Sequence, residues 1–356
     1  MPAPAELSVP GKAFVAGEYA VLEPGHAALV LAVDVRLRAA VRELPGRAVE
    51  LSRRPGGASL SGELSEHGVS WSSAVPRDLR FAARAVELAS ALCAEDGREP
   101  RGFEIAFRDD LSRDGRKLGL GGSAASSVLA VRATCAARGR PTTSQETMAL
   151  AAAAHWIEQG GRGSGADVAA CSSGGLLEVR TRHAWRDLPD PLRAGVRDLI
   201  ARPPLEARSV PVPPRARFLL AWTGAPADTR RLVDGVLGFA RARPGRWRHH
   251  AAALAAQEAA LREALERDDE QGALDAVRSA AAALGALGDE AQVPIVTPEL
   301  ARVCAIASSA GAAGKPSGAG GGDCAIVLAW GGAANRARAA LEVAGYLALE
   351  VTPALP

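Results

Sequence analysis

The chain has 356 residues with 42 basic and 40 acidic side chains, and this near-neutral balance argues against a nucleic-acid partner. Hydrophobic residues make up 48% of it and charged residues 23%, which excludes a disordered or collagen-like chain and allows a large core. Its five cysteines form no C-x-x-C pair and no apolar run reaches the roughly 20 residues of a membrane span, so we expect a cytoplasmic protein without a zinc site or disulfide framework.

The first 200 residues alternate between strand and helix patterns. Apolar runs and period-2 alternation predict strands over residues 7–15, 27–40, 49–51, 103–107 and 176–180. Apolar residues at helical spacing predict helices over residues 77–94, 123–138 and 144–159. The proline-rich stretch 203–214 has little periodic pattern, so we expect a domain junction there.

The remaining residues are mainly helical. Helices are predicted at about residues 228–242, 247–266, 270–287, 298–310 and 333–344, and strands over 218–222 and 324–329. Alternation of helices and strands in both halves is typical of an α+β or α/β protein. We place its two domains at residues 1–205 and 206–356.

Lysine is rare in this chain. Only three of the 42 basic residues are lysine, and each lies beside a glycine-rich or turn-forming segment: Lys12, Lys117 and Lys315. Where arginine is the default cation, a retained lysine indicates that a compact, point-like ammonium is needed, as in phosphate contacts. The alternative is that these three lysines are retained by chance.

A glycine loop precedes the second predicted helix, with the sequence Gly119-Leu120-Gly121-Gly122-Ser123-Ala124-Ala125. Glycines let consecutive backbone N–H groups converge on an anion, and the helix behind them adds its N-terminal partial positive charge. The hydroxyl of Ser123 could then contact Mg²⁺ or a phosphate. The loop matches neither the Walker A nor the Rossmann pattern, and its simpler interpretation is a turn that caps an alanine-rich helix.

Three further segments carry residues suited to chemistry. Four glycines within residues 318–322 cost backbone entropy on folding, which a ligand that approaches the main chain would explain. In the segment 163–170, Asp167 follows a glycine turn, where an isolated aspartate is commonly a helix N-cap. Near the start of the chain, a strand runs into a tight turn that carries Lys12 and Glu18.

Together these segments resemble the GHMP kinases, the superfamily of galactokinase, homoserine kinase, mevalonate kinase and phosphomevalonate kinase. All three of its motifs occur in order, and the resemblance covers nearly the whole chain. It implies an α+β fold with an N-terminal domain like the second domain of ribosomal protein S5 and a ferredoxin-like C-terminal domain. In this family the central glycine loop wraps the ATP phosphates and the last glycine loop closes over the reacting groups, so the resemblance implies ATP and Mg²⁺ as cofactors.

Within the superfamily, the details are most similar to the phosphomevalonate kinase branch. Residues 117–121 match its pattern K-x-G-L-G, residues 163–170 match G-S-G-x-D-V-A-A, and residues 222–229 resemble W-T-G-x-x-A-S-T. There are two departures: Gly122 replaces the first serine of G-L-G-S-S-A, and Asp228 replaces a serine near the expected acceptor. A carboxylate at position 228 would repel a substrate phosphate unless a neighbouring arginine offsets it.

The resemblance implies ATP-dependent phosphorylation of 5-phosphomevalonate to mevalonate 5-diphosphate. It assigns Lys12 to the stabilisation of the transferring group and Asp167 to the role of base or orienting carboxylate. Lys117 and the loop from Gly119 to Ala125 would hold the ATP phosphates, with Ser123 as a Mg²⁺ ligand. The acceptor would contact Lys12, Asp167 and five further residues: Ser164, Thr223, Ser317, Gly318 and Asp323.

Other polar residues are weaker candidates. Glu18 and Glu158 are possible members of the metal shell, and for Glu158 a solvated glutamate is the simpler interpretation. Four histidines lack the spacing of zinc ligands and are interpreted as structural: His26, His155, His249 and His250.

Two other functions remain open. One is a kinase of the same fold that phosphorylates mevalonate or another small alcohol, and the other is a non-catalytic sensor that binds a ligand. A sensor would be expected to lack Lys12, Ser123 or Asp167, and all three are present. We expect a monomer or homodimer whose partners are small molecules, without a membrane or nucleic-acid partner.

Overall fold

A long strand organises the larger of the two main sheets. The computed structural model describes residues 5–66, 68–108, 111–113, 116–182, 195–225 and 227–356. Strand β2 (Ala27–Leu44) begins with a run of seven residues, Ala27 to Val33, that are all buried, as their apolar character predicts. Strand β1 (Ala5–Ala16) pairs antiparallel with β2, and the register shifts next to Pro10, which lacks the N–H that a ladder needs.

Six more strands complete this sheet. Their bounds are Ala48–Arg54 (β3), Ser59–Ser65 (β4), Gly68–Trp71 (β5), Gly102–Arg108 (β6), Leu176–Thr181 (β9) and Leu205–Val210 (β10). The order across the sheet is β10, β9, β2, β6, β3, β4 and β5, with β1 attached to β2. The pair β3–β6 is parallel and the other neighbours are antiparallel. Two short strands, Ser112–Arg113 (β7) and Arg116–Lys117 (β8), pair just before the central glycine loop.

The described residues of this half of the chain form five α-helices and a short 3-10 helix, Ala20–Leu22. The bounds of the α-helices are Arg80–Glu95 (α1), Gly122–Ala137 (α2), Ser144–Glu158 (α3), Ala166–Ser173 (α4) and Val196–Ala201 (α5). Helices α2 and α3 are alanine-rich and buried over most of their surface, because small side chains let neighbouring elements approach from every side. Helices α2 and α4 both contact β1 and β2, so their N-termini lie near the strand that carries Lys12.

The second sheet has four antiparallel strands. They are Ala216–Trp222 (β11), Ala313–Pro316 (β12), Cys324–Trp330 (β13) and Leu347–Val351 (β14), in the order β12, β13, β11, β14. Five helices accompany them: Thr229–Ala242 (α6), Pro244–Glu266 (α7), Glu270–Ala291 (α8), Pro298–Ser309 (α9) and Gly332–Val343 (α10).

The two sheets share part of one hydrophobic core. Alternate residues of β11 point to opposite faces, as the period of a strand requires. Phe218 and Leu220 belong to the cluster that also covers the large sheet, whereas Leu219 and Ala221 pack with residues of α9 and α10. The second sheet is therefore buried on both faces, and one of those faces joins it to the first half of the chain.

The α+β class predicted from the sequence is confirmed. The predicted helices and strands are present with shifted ends. The sequence patterns did not predict the short helices α4 and α5 or the short strands β4, β5, β7, β8, β10, β12 and β14. The proline-rich stretch 203–214 contains β10, which lies at the sheet edge between prolines, where they remove no ladder hydrogen bond. The domain boundary at 205/206 remains a prediction.

Two further features concern the class of protein. None of the helices in the described ranges is both long and apolar enough to cross a membrane. All five cysteines are free thiols, four of them buried.

Candidate active site

The central glycine loop leads directly into α2. Gly119 and Gly121 have φ values of +73° and +78°, the left-handed region that favours glycine, and Gly121 is the N-cap of α2. A Cβ on Gly121 would lie 2.7 Å from Cγ of Lys12, and one on Gly119 would lie 2.9 Å from Cβ of Asp323. No side chain caps α2. The first-turn N–H groups of this helix therefore suit an anion.

Gly122, the first departure from the phosphomevalonate kinase pattern, is sterically unconstrained. It is the first residue of α2, and a Cβ built on it meets no atom within 4 Å. A serine would fit here, so the backbone of the loop does not depend on glycine at this position.

Lys12 lies against this loop. Its backbone N–H donates to the carbonyl oxygen of Leu120 at 2.9 Å, and its Nζ donates to the carbonyl oxygen of Gly119 at 3.3 Å. The ammonium is also 5.5 Å from the centre of the Phe14 ring. Strand β1 thus places the aliphatic stem of Lys12 against Gly121 and its ammonium group beside the carbonyl oxygen of Gly119.

Ser123 contacts His155, a histidine for which the sequence predicts a structural role. The Oγ of Ser123 lies 3.1 Å from Nε2 of His155 on α3, and the same nitrogen is 3.8 Å from Oδ2 of Asp167. Burial lowers the pKa of His155, Asp167 opposes this shift, and Lys12 adds to it. His155 therefore belongs to the candidate site. Its position in an alanine-rich helix does not predict the contact with Ser123.

Asp167 does not cap α4. The N-cap is Gly165, with φ +78°, and Asp167 is the second residue of the helix, where its Oδ1 accepts the N–H of Val168 at 3.0 Å. The simpler interpretation of this aspartate as an N-cap is therefore wrong. Ser164, just before the helix, is buried, and its Oγ accepts the N–H of Ala166 at 3.3 Å.

The last glycine loop joins the two halves of the site. The Oγ of Ser317 donates to the carbonyl oxygen of Phe14 at 3.0 Å, and the N–H of Gly318 donates to Glu18 at 3.4 Å. At its other end, Oδ1 of Asp323 accepts the N–H of Ala227 at 3.0 Å. The hydroxyl of Thr223 donates to the carbonyl oxygen of Asp323 at 3.2 Å.

Most glycines of this loop are required by the protein itself. A Cβ on Gly320 would lie 2.1 Å from the carbonyl oxygen of Ile295, and one on Gly322 would lie 2.6 Å from that of Ala225. A Cβ on Gly321 would meet a side-chain methyl group at 2.6 Å, whereas Gly318 faces open space. Close approach of a ligand therefore explains Gly318 at most, and packing explains the other three.

Glu18 and Lys315 form a buried ion pair inside the site. Both side chains are almost completely buried, and Nζ of Lys315 donates to Glu18 and, at 2.6 Å, to the carbonyl oxygen of Pro316. Lys315 is thus engaged by the protein rather than free for a phosphate. Through this ion pair and the N–H of Gly318, Glu18 connects the turn that follows β1 to the last glycine loop.

The remaining predicted residues are placed as follows. Glu158 forms an ion pair with Arg84, whose Nε lies 3.1 Å from Oε1 of Glu158. Asp228 is the N-cap of α6 and accepts the N–H of Arg231 at 3.1 Å, a role that serine fills equally well. The side chain of Lys117 lies outside the described part of the structure, so its assignment to the ATP phosphates remains a prediction.

Comparison with known proteins identifies related sequences and folds. The family "GHMP kinases N terminal domain" matches residues 81–175, and "GHMP kinases C terminal" matches residues 252–346. A phosphomevalonate kinase from Streptomyces sp. (strain CL190) is 33% identical over 380 residues, covering 97% of this chain and 96% of that protein.

Two solved structures have the same fold over their full length. A Lin0012 protein from Listeria innocua is 26% identical with a TM-score of 0.87, covering 98% of each chain. The phosphomevalonate kinase of Streptococcus pneumoniae, solved with phosphomevalonate and AMPPNP, is 22% identical with a TM-score of 0.83, covering 97% of this chain and 99% of that one.

Proposed function

The chain belongs to the GHMP kinases, with their two-domain α+β fold, and from this membership we propose that it transfers the γ-phosphoryl group of ATP to 5-phosphomevalonate. The observation that carries the proposal is the position of Lys12 against a glycine loop whose helix, α2, begins without a side-chain cap. Such a helix end binds phosphate, and a lysine beside it supplies the charge that a transferring phosphoryl group requires.

The reaction requires positioning more than strong acid–base chemistry. An oxygen of the acceptor phosphate attacks the γ-phosphorus of ATP, the bond from that phosphorus to the β–γ bridging oxygen breaks, and ADP leaves with its electron pair. An acceptor phosphate is already ionised near neutral pH. Asp167 therefore acts by orientation and electrostatics, and Lys12 stabilises charge on the transferring group.

The residues of the site suit Mg²⁺. This ion prefers oxygen ligands and binds through one or two protein groups together with substrate phosphates. The hydroxyl of Ser123, one residue into α2, is the group that would hold it here. When bound with ATP, Mg²⁺ neutralises phosphate charge and orients the transferring group.

The acceptor lies on the side of the last glycine loop. Gly318 faces open space at one end of this loop, and Asp323 packs against Gly119 at the other. The hydroxyl of Thr223 supports this second end by donating to the carbonyl oxygen of Asp323. Ser164, Ser317 and Gly318 are the remaining predicted contacts of the acceptor. The carboxylate of Asp228 is directed to the N–H groups of its own helix, which reduces its repulsion of a substrate phosphate.

A coupled assay of ADP release over four acceptors tests the proposal: mevalonate, 5-phosphomevalonate, homoserine and galactose. We expect turnover with 5-phosphomevalonate alone. Turnover with mevalonate instead would identify the rival kinase of the same fold. ATP binding without turnover on any acceptor would favour the sensor.

Ser123→Ala is expected to lower kcat/KM for Mg·ATP by at least about 10-fold without unfolding the protein. The variant removes the proposed ligand oxygen and leaves the backbone of α2 intact. Ser127→Ala is the matched control, because its hydroxyl lies one turn further along α2 and donates to the carbonyl oxygen of Ser123. Wild-type kinetics in Ser123→Ala, measured as a function of ATP and Mg²⁺, would contradict the assignment of the loop.

Two general properties stay predictions. A cytoplasmic location is expected from the cysteine usage together with the lack of an apolar run long enough to span a membrane. The expected monomer or homodimer is tested by light scattering of the purified protein.

A further inference from the structure

A buried histidine bridges two residues of the proposed site. His155 lies on α3 with 3% of its surface exposed, and its ring packs on Phe81 with the ring centres 5.0 Å apart. Its Nε2 reaches Ser123 at 3.1 Å and the side-chain nitrogen of Gln159, one turn later, at 3.3 Å. The carboxylate of Asp167 stands 3.8 Å from the same nitrogen, beyond hydrogen-bond distance.

The neighbours of Nε2 decide the direction of these hydrogen bonds. The amide nitrogen of Gln159 is a donor only, and a serine hydroxyl has one hydrogen to donate and two lone pairs. Asp167, which would accept a hydrogen from Nε2, is too far away for that bond. With a donor-only amide as its neighbour, Nε2 is the unprotonated nitrogen of the ring and has one lone pair. The Gln159 amide at 3.3 Å and the nearer Ser123 hydroxyl at 3.1 Å share this lone pair, so the hydrogen of the Ser123 hydroxyl is directed at His155.

We propose that His155 is a positioning residue that fixes the Ser123 hydroxyl so that only its oxygen lone pairs face the bound nucleotide. A hydroxyl in this state ligates a cation and cannot donate to a phosphate oxygen. The sequence allows Ser123 to contact either Mg²⁺ or a phosphate, and this orientation of the hydroxyl selects Mg²⁺. The inference rests on the proposed function only through the binding of nucleotide with Mg²⁺.

The same contact explains why a histidine lies inside an alanine-rich helix. A buried polar side chain without a partner destabilises a protein, so His155 needs a donor among its neighbours. Ser123 is 32 residues away in sequence and belongs to the first turn of α2. The histidine thus links the end of α3 to the helix start at which the phosphates are proposed to bind.

Binding of AMPPNP, measured by calorimetry with saturating Mg²⁺ and again in EDTA, tests the proposal without turnover. His155→Leu removes the acceptor and keeps an apolar group of similar size. We expect its Kd for AMPPNP to rise about 10-fold with Mg²⁺ and to stay near the wild-type value in EDTA. His155→Gln, whose amide oxygen can accept from Ser123, is expected to recover most of the affinity.

His250→Leu is the matched control. His250 is another buried helical histidine, on α7, and its Nε2 lies 2.8 Å from Glu290, outside the site. This variant is expected to melt at a lower temperature with unchanged Mg²⁺-dependent affinity. If His155→Leu does not fold, His155→Phe replaces it, because a phenyl ring keeps the contact with Phe81 and has no acceptor.

A double variant separates positioning from a general structural role. If His155 acts through Ser123, Ser123→Ala combined with His155→Leu should bind Mg·AMPPNP as weakly as Ser123→Ala alone. Equal losses with Mg²⁺ and in EDTA, no loss at all, or additive losses in the double variant would overturn the inference while the proposed function stands. Failure of the wild-type protein to bind AMPPNP would overturn both.

Discussion

Lys12→Met is expected to lower kcat by at least about 100-fold, because removal of an electrostatic partner of a transition state typically has an effect of this size. Methionine keeps an unbranched apolar stem, which the structure requires because the lysine stem packs across Gly121. The backbone bond from residue 12 to Leu120 is also retained, so we expect the fold and the melting temperature to be preserved.

Steady-state kinetics with ATP and 5-phosphomevalonate measure this effect. Arg302→Met, on the exposed surface of α9, removes the same charge from the protein and should leave kcat near the wild-type value. Near-normal turnover in Lys12→Met would remove this lysine from the mechanism.

Asp167→Asn is expected to lower kcat by about 100-fold or more with little change in the KM for ATP. Asparagine has nearly the same size and keeps the oxygen that accepts the N–H of Val168. It removes the charge that orients the acceptor and the transferring group. Because an acceptor phosphate ionises by itself, the loss should be smaller than for an alcohol acceptor.

The stability of Asp167→Asn separates a catalytic from a structural carboxylate. Since Gly165 is the N-cap of α4, the substitution removes only a favourable first-turn charge, about 0.3–1 kcal/mol. Asp198→Asn is the matched control, because Asp198 is a first-turn aspartate of α5. A variant at position 167 that melts several degrees lower but keeps its kcat would make this residue structural.

Much of the local structure was predictable because local physics decides it. The apolar run Ala27–Val33 is typical of a buried strand, and the helices predicted at 123–138 and 144–159 match α2 and α3 within two residues. The central glycine loop was also recognisable, since left-handed backbone at Gly119 and Gly121 leaves few alternatives to glycine.

Short edge strands were not predictable in the same way. Among the strands of the described residues, β10 lies between prolines and pairs with β9 alone, and β14 pairs with β11 alone. Such strands depend on the register of a neighbour that is distant in sequence, and their own residues carry little alternation.

The chemistry-bearing motifs could therefore be recognised in the sequence alone, because glycine, lysine and aspartate at these spacings reflect backbone geometry and charge. The family and its two-domain fold followed from the resemblance of these motifs to those of the GHMP kinases. Only the tertiary structure showed that Lys315 is paired with Glu18, 297 residues away, and that packing requires Gly320 to Gly322. It also brought His155 to Ser123. Helix α3 is apolar on nearly every side, so its sequence does not indicate which face meets α2, and only the packing of the two helices decides that contact.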